Sequence, residues 1–366
     1  MDRRYLCILL ALTTLISGCG TSDSETAVSE TVQESFEIPE EPELHPYDFT
    51  LAFAGDVNFA ENWNTMEYFR QQEDGIRDCI DPELIGMMQD ADLMCLNMEF
   101  CMSSVGSPME GKLYTFRADP SRAELLKELG VDLVNLANNH VYDYGKDAFL
   151  DMLQILKDEG IPYVGAGVNA AEAEAPFCTE IDGKRIAVVA ATRAEKYILT
   201  PEASQTEPGV FRCYETERLL DMVRTVREQA DIVIAYMHWG TEYSETLEEA
   251  QTEGARALVE AGADVVLGAH PHCLQGGEFM EGRPVLYSLG NYWFNEKTLD
   301  TVLVKLHFYG DDREQHLDTV LVPARQEAHY TRLLTEPSDV ETWIQHMEGM
   351  EPSRIRIDEQ GVMHDR

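Results

Sequence analysis

The sequence predicts an α/β fold, a four-layer α/β/β/α sandwich in which two sheets face each other with helices outside. Near-continuous apolar runs, of the kind that suit strands buried on both faces, alternate with segments of helical spacing along most of the chain. Five short polar motifs each close one of those runs, and in open α/β sheets ligands gather beyond the carboxyl ends of strands.

The strand candidates are 49–54, 93–96, 133–136, 186–191, 232–237 and 265–267. Between them, 147–159 places Phe149, Met152, Leu153 and Leu156 on one side at helical spacing, and Gly160 stops it. Segments 215–229 and 245–261 repeat that behaviour. The last third turns strand-rich, at 273–280, 285–289, 301–308 and 317–322. Residues 192–214 read as a loop-rich insertion holding Pro201, Pro208 and Gly209, and no linker interrupts 48–325, which reads as one domain. Beyond it, the acidic extension 326–366 shows no obvious core contribution; it reads either as a helix docked near 340–347 or as a loosely held tail.

Residues 1–19 read as a processing signal. Arg3 and Arg4 precede an apolar stretch too short for an ordinary spanning helix. Ile16-Ser17-Gly18-Cys19 then has the form of a bacterial lipobox, which predicts lipidation of Cys19 and an extracytoplasmic, membrane-anchored chain. A plain secretory signal or an uncleaved anchor is the alternative. Residues 20–47 are acidic, lack Lys and Arg from 21 to 46, and carry few large apolar groups, so they predict a disordered tether. The formal net charge of −39 argues against nucleic acid or an anionic membrane surface as partner. It argues less strongly against a polyanionic substrate, whose repulsion a bound metal offsets locally.

The motifs are Gly-Asp-Val-Asn at 55–58, Asn-Met-Glu at 97–99, Asn-Asn-His at 138–140, His-Trp-Gly-Thr-Glu at 238–242 and His-Pro-His at 270–272. Together they offer carboxylates, an amide oxygen and imidazoles, a mixed donor set that suits zinc, manganese or iron. Each has a plainer reading. Asp56 after a strand is a common turn former, and the Asn138–Asn139 pair caps turns. A lone histidine at a strand end is more often structural; the recurrence favours a metal site. Asp143, three residues after His140, is placed to fix the tautomer of that imidazole. Cys273, next to His272, reads as structural, because alternation along a strand points it away.

The series GDV, NME, ANNHVYDYG, HWGTEY, GAHPHCLQG and YSLGNYWF, over about residues 48 to 300, resembles the CapA family of capsule or poly-γ-glutamate synthesis proteins. That family belongs to the calcineurin-like metallophosphoesterase superfamily. The resemblance implies a metallophosphoesterase-like sandwich holding two divalent metal ions. Carried across, one ion falls to Asp56, Glu99 and His272, and the second to Glu99, Asn139, His238 and His270, with Glu99 bridging. His140 becomes the general acid or transition-state stabiliser. Two departures stand out: Asn58 occupies a position where the superfamily commonly has His, and the bridging residue is Glu99 where Asp is usual.

A metal pair that lowers the pKa of a shared water makes phosphoester hydrolysis the first expectation. The same metals acting on an amide of a γ-glutamyl polymer is a second reading. A non-catalytic accessory subunit of a membrane polymer synthase is a third. The expected guest is therefore an anionic polymer or a phosphoester. Asn58, Asn97, Glu242, Asn291 and Arg117 are further candidates to line the site. Lys112, Arg117 and Arg193 are candidate anion contacts, and surface solvation explains any one of them equally well. Trp239 and Tyr243 read either as a cleft wall or as packing.

Overall fold

A computed structural model describes residues 44–195 and 199–366. Cys19 and the expected signal and tether up to residue 43 lie outside the described residues. Two sheets dominate. In the first, the order is Tyr330–Leu333, Gln315–Glu327, Leu299–Gly310, Tyr47–Val57, Leu93–Met98, Leu133–Asn135 and Tyr163–Val164. A short strand, Asn291–Trp293, also pairs with Tyr47–Val57, in parallel. In the second, the order is Leu274–Met280, Arg283–Leu289, Val265–Ala269, Ile232–His238, Lys184–Thr192 and Phe177–Ile181.

The predicted strands all fall within these sheets, and side-chain alternation explains how the layers stack. Leu51 and Phe53 point into the space between the sheets, with Ile186, Val188, Ile234, Tyr236 and Leu267 opposite. Ala52 and Ala54 point the other way, under helices Pro82–Gln89 and Gly145–Asp158, which bury Leu84, Ile85 and Met88, and Phe149, Met152 and Leu153. On the far face of the second sheet, Glu217–Arg227 buries Leu219, Val223 and Val226, and Glu249–Ala261 buries Ala255, Leu258 and Val259. Each such aliphatic chain contributes about 1.5–3 kcal/mol on burial. Three separate cores between four layers give the expected α/β/β/α sandwich. The sheets are cross-tied where the Tyr236 hydroxyl donates to the Ala54 carbonyl at 2.6 Å.

The C-terminal region differs from expectation. Helix Pro337–Gly349 buries Trp343 and Met347 completely, and both join the core between the sheets. The Trp343 indole N–H donates to the Thr301 carbonyl at 3.1 Å. Val340 and Ile344 pack beside Trp343 and Met347, so an apolar seam at i, i+3, i+4 and i+7 runs over two turns of an otherwise acidic and polar helix. That spacing is the amphipathic pattern behind the expected helix; what the sequence did not show is that the helix completes the core between the sheets.

Candidate metal centre

The site begins with strand register. Asp56 lies opposite Asn97 on one neighbouring strand and opposite Asn291 on the other, and Asn97 lies opposite Asn135. A row of polar residues thus crosses the carboxyl ends of three adjacent strands and the first residue of a fourth. Gly55 is what permits it: a Cβ there would sit 1.9 Å from the Gly290 carbonyl oxygen, and the Asp56 N–H donates to that same oxygen at 3.0 Å. The second sheet delivers His238 from its strand end, and His270 and His272 from the turn after Val265–Ala269.

That turn is not extended chain. His270 and His272 have φ of 96° and 58°, in the left-handed region, and Tyr243 has φ 56°. Such conformations cost about 1–3 kcal/mol each in non-glycine residues and persist where surroundings impose them. Here the His270 N–H donates to Asp56 Oδ2 at 3.2 Å, and the Tyr243 N–H donates to the Pro271 carbonyl at 2.6 Å. The expectation for Cys273 therefore needs a different reason. Strand alternation does not apply, because 270–273 form a bend. Its thiol is buried and pushed up to about 12, chiefly by that burial.

The structure brings most of the predicted residues together. Asp56, Glu99 and His272 present ligand atoms within 4.8 Å of one another, and so do Glu99, His238 and His270. Glu99 is common to both groups. Its Oε1 is buried and accepts no hydrogen bond. Three imidazole nitrogens surround it at longer range: His238 Nε2 at 3.7 Å, His272 Nε2 at 3.8 Å and His140 Nε2 at 4.0 Å. The Asn139 amide oxygen lies 2.8 Å from His238 Nε2. Asn97 sits at the middle of the carboxylates, its amide nitrogen 2.7 Å from Asp56 Oδ1 and 3.2 Å from Glu99 Oε2. Asn138 does cap its turn, its amide oxygen accepting from the His140 N–H at 3.0 Å, and its amide nitrogen donates to the Asn97 amide oxygen at 3.2 Å and so orients it.

These groups are almost wholly withdrawn from water, and their protonation follows. Burial, and then the neighbouring Asp56, raise the Glu99 carboxyl well above its ordinary range. Burial and the adjacent imidazoles hold His238 well below the usual value, and burial with His272 lowers His270 to about 3. His140 is also lowered by burial, against the opposing pull of Asp143. A cluster that keeps its imidazoles neutral and disfavours its own carboxylate is what a divalent cation reverses. The unbonded buried atoms Glu99 Oε1 and His270 Nδ1 fit such a group.

His140 Nδ1 lies 2.7 Å from Asp143 Oδ2. Asn291 is a support: its amide oxygen lies 2.9 Å from His272 Nδ1. Asn58 spends its amide oxygen on the Ala60 N–H at 2.8 Å and leaves its buried Nδ2 without a partner. Glu242 and Tyr243 line a cleft of about 300 Å³ whose floor includes His140 and His272. Trp239 packs instead, donating to the Tyr287 carbonyl at 2.9 Å. Arg117 lays its guanidinium over the Tyr144 ring at 4.3 Å and is not among the cleft residues. Arg193 donates to the Tyr214 carbonyl at 3.2 Å. Lys112 is buried against Asp143, not exposed to an anion. Two participants came from the 192–214 insertion: Thr200 donates to the Asn139 carbonyl at 2.8 Å, and Glu195 lies 3.4 Å from the Asn139 amide nitrogen.

A family model described as bacterial capsule synthesis protein PGA_cap matches residues 50–296. The capsule biosynthesis protein CapA of Bacillus anthracis is 32% identical over 197 residues, covering 52% of this chain and 47% of that protein. The PGA biosynthesis protein CapA of Bacillus subtilis is 33% identical over 188 residues, covering 50% and 49%. The match therefore spans about half the length of these curated relatives. Among solved structures, an NAD nucleotidase from Haemophilus influenzae superposes with a TM-score of 0.43 at 13% identity, covering 83% of this chain and 63% of that one. So loose a likeness carries no argument about chemistry. The family model, in contrast, takes in more than half of the chain and every one of the five motifs: the chain belongs to the bacterial capsule synthesis protein PGA_cap family.

Proposed function

We propose that this protein is a metal-dependent hydrolase of phosphoester type that serves capsule or poly-γ-glutamate synthesis, held outside the cytoplasmic membrane by a lipidated Cys19. The observation that carries the hydrolase reading is Glu99, shared by two ligand groups and left with an unbonded buried oxygen. Asp56, Glu99 and His272 would hold one divalent ion, and Glu99, Asn139, His238 and His270 a second. When bound, such a pair supplies Lewis acidity and a water acidified to near-neutral pKa.

The protein's own part is positioning and proton handling. Asp143 fixes the His140 ring, which keeps Nε2 toward Glu99 and the cleft. From there His140, in its imidazolium form with Asp143 accepting from Nδ1, gives its Nε2 proton, or a hydrogen bond from it, to the leaving oxygen and is left neutral with its proton on Nδ1. Asn97 and Asn291 hold Asp56 and His272 in place, so ligand geometry is set before substrate arrives.

The cleft favours a particular guest. Trp63, Tyr114, Phe116, Tyr243 and Phe294 give it aromatic walls, while Glu242 and Glu296 place two carboxylates against the single ammonium of Lys297. That lining suits a phosphoester with an uncharged organic group better than a long polyglutamate chain. The accessory-subunit reading keeps one supporting observation. Val105, Leu113 and Tyr114 are 43%, 85% and 53% exposed on one loop, an apolar presence that suits a docking partner.

Metal analysis and turnover of bis-p-nitrophenyl phosphate by the full chain, with manganese, zinc or iron, tests the proposal. Close to two ions per chain, with turnover lost in His140→Ala and His270→Ala, is the expected result. Metal without turnover moves the reading to the accessory subunit. No metal at all ends the hydrolase assignment. Globomycin-sensitive processing, or its absence in a Cys19→Ala chain, tests the anchor separately.

A further inference from the structure

Residues 104–108 and the tip of the 103–116 loop are exposed, yet the loop is tied to the centre by one inward-turning side chain. Gly111 has φ 83°, and the chain reverses there. The Lys112 side chain is then only 3% exposed, with Nζ 2.7 Å from Asp143 Oδ1 and 3.5 Å from Glu195 Oε1. The same ammonium donates to the Asn139 carbonyl.

Two further bonds reach Asp143 from this loop. The Phe116 N–H donates to Oδ2 at 2.7 Å, and the Met109 N–H donates to the Asp143 carbonyl at 2.8 Å. Phe116 also packs its ring 4.4 Å from that of His140. Asp143 is fully buried, so without a nearby cation its charge would be expensive to keep. Lys112 supplies that cation on Oδ1, which leaves Oδ2 to accept from His140 Nδ1. A proton is thereby kept on Nδ1, so the second proton of the imidazolium, the one His140 donates, sits on Nε2 toward Glu99 and the cleft.

We propose that Lys112 is a positioning residue: it fixes Asp143, and through it the His140 ring, from a loop that otherwise faces solvent. The proposal rests on His140 being the proton donor, and it makes the 103–116 loop part of the reaction geometry.

Three forms of the full chain loaded with zinc test it: the parent, Lys112→Met and Lys112→Arg. Metal per chain, kcat and KM on bis-p-nitrophenyl phosphate, and the ring N–H resonance of His140, assigned with His140→Gln, are read for each. The methionine form is expected to keep its metal and its KM within about twofold while kcat falls roughly 10- to 100-fold, the usual effect of losing such a support. It should also lose the Nδ1 proton resonance, and arginine should restore both. A methionine form with parental kcat and resonance overturns the proposal, and so does an arginine form as impaired as methionine. If methionine prevents folding, Lys112→Gln takes its place with the same expectations. Absence of turnover in the parent defeats the hydrolase reading alone; the resonance still decides Lys112, since its persistence in the methionine form overturns the role.

Discussion

Glu99 and Asp264 are both buried carboxylates, and the protein treats them in opposite ways. Asp264 is 8% exposed and fully partnered. Arg227 donates to its Oδ2 at 2.5 Å, Arg283 donates to Oδ1, and the Val233 N–H reaches Oδ2 at 2.8 Å. Glu99 is 0% exposed, has Asp56 as an acidic neighbour, and leaves Oε1 unbonded among three imidazoles. One carboxylate has its countercharge built into the chain; the other has only neutral imidazoles and a second acid around it. The contrast separates a structural ion cluster from a ligand site more sharply than burial does, because both are buried.

Several substitutions test how far the contrast holds. The largest effect is expected from Glu99→Gln. Turnover should fall about 10³-fold, equivalent to the several kcal/mol of charge stabilisation a metal pair supplies, and metal per chain should drop with it. In metal-free protein the same change should raise Tm at pH 7. A carboxyl whose folded pKa is raised weakens the fold above its unfolded value of about 4.3, and the penalty vanishes as pH falls below that value. The advantage of glutamine should therefore disappear near pH 4; an advantage persisting there would break the comparison.

Asp264→Asn should do the reverse. It breaks a paired cluster and should cost about 3–5 kcal/mol in urea unfolding, with metal content unchanged. Chelation is the next test. At metal concentrations a hundredfold above Kd, binding adds about 2.7 kcal/mol, so a chelator should lower Tm of the parent and leave Glu99→Gln unmoved.

The smallest effect belongs to His346, far along the chain, whose ring lies 3.3 Å from Asp300 and 3.2 Å from Glu245. The Asp300 hydrogen bond leads the causes that raise its pKa. Its contribution should be fully present below about pH 6.5 and fade as pH rises through the folded value. His346→Gln should flatten that slope in thermal melts between pH 6 and 8.

What was legible in the sequence was whatever local pattern encodes. Apolar runs marked the strands, and their polar ends marked Asp56, Glu99, Asn139, His238, His270 and His272. What escaped needed register or tertiary contact. Asn291 supports His272 because Asn291–Trp293 pairs in parallel with Tyr47–Val57, a partnership no local period reports. Lys112 has the composition of a surface residue, and only the turn at Gly111 directs it inward. Val340, Trp343, Ile344 and Met347 marked a helix, but that it seats two of them in the core between the sheets depends on tertiary contact. Arg117 shows the opposite failure: a plausible anion contact by charge, yet stacked on Tyr144.

The bond from the His270 N–H to Asp56 Oδ2 spans 214 positions of chain. Closing so long a loop carries an entropic cost, and non-local contacts of this kind slow folding. The ligand set is therefore incomplete in any nascent chain that ends before the His-Pro-His turn. A chain cut short before that turn lacks two of the imidazoles of the candidate site.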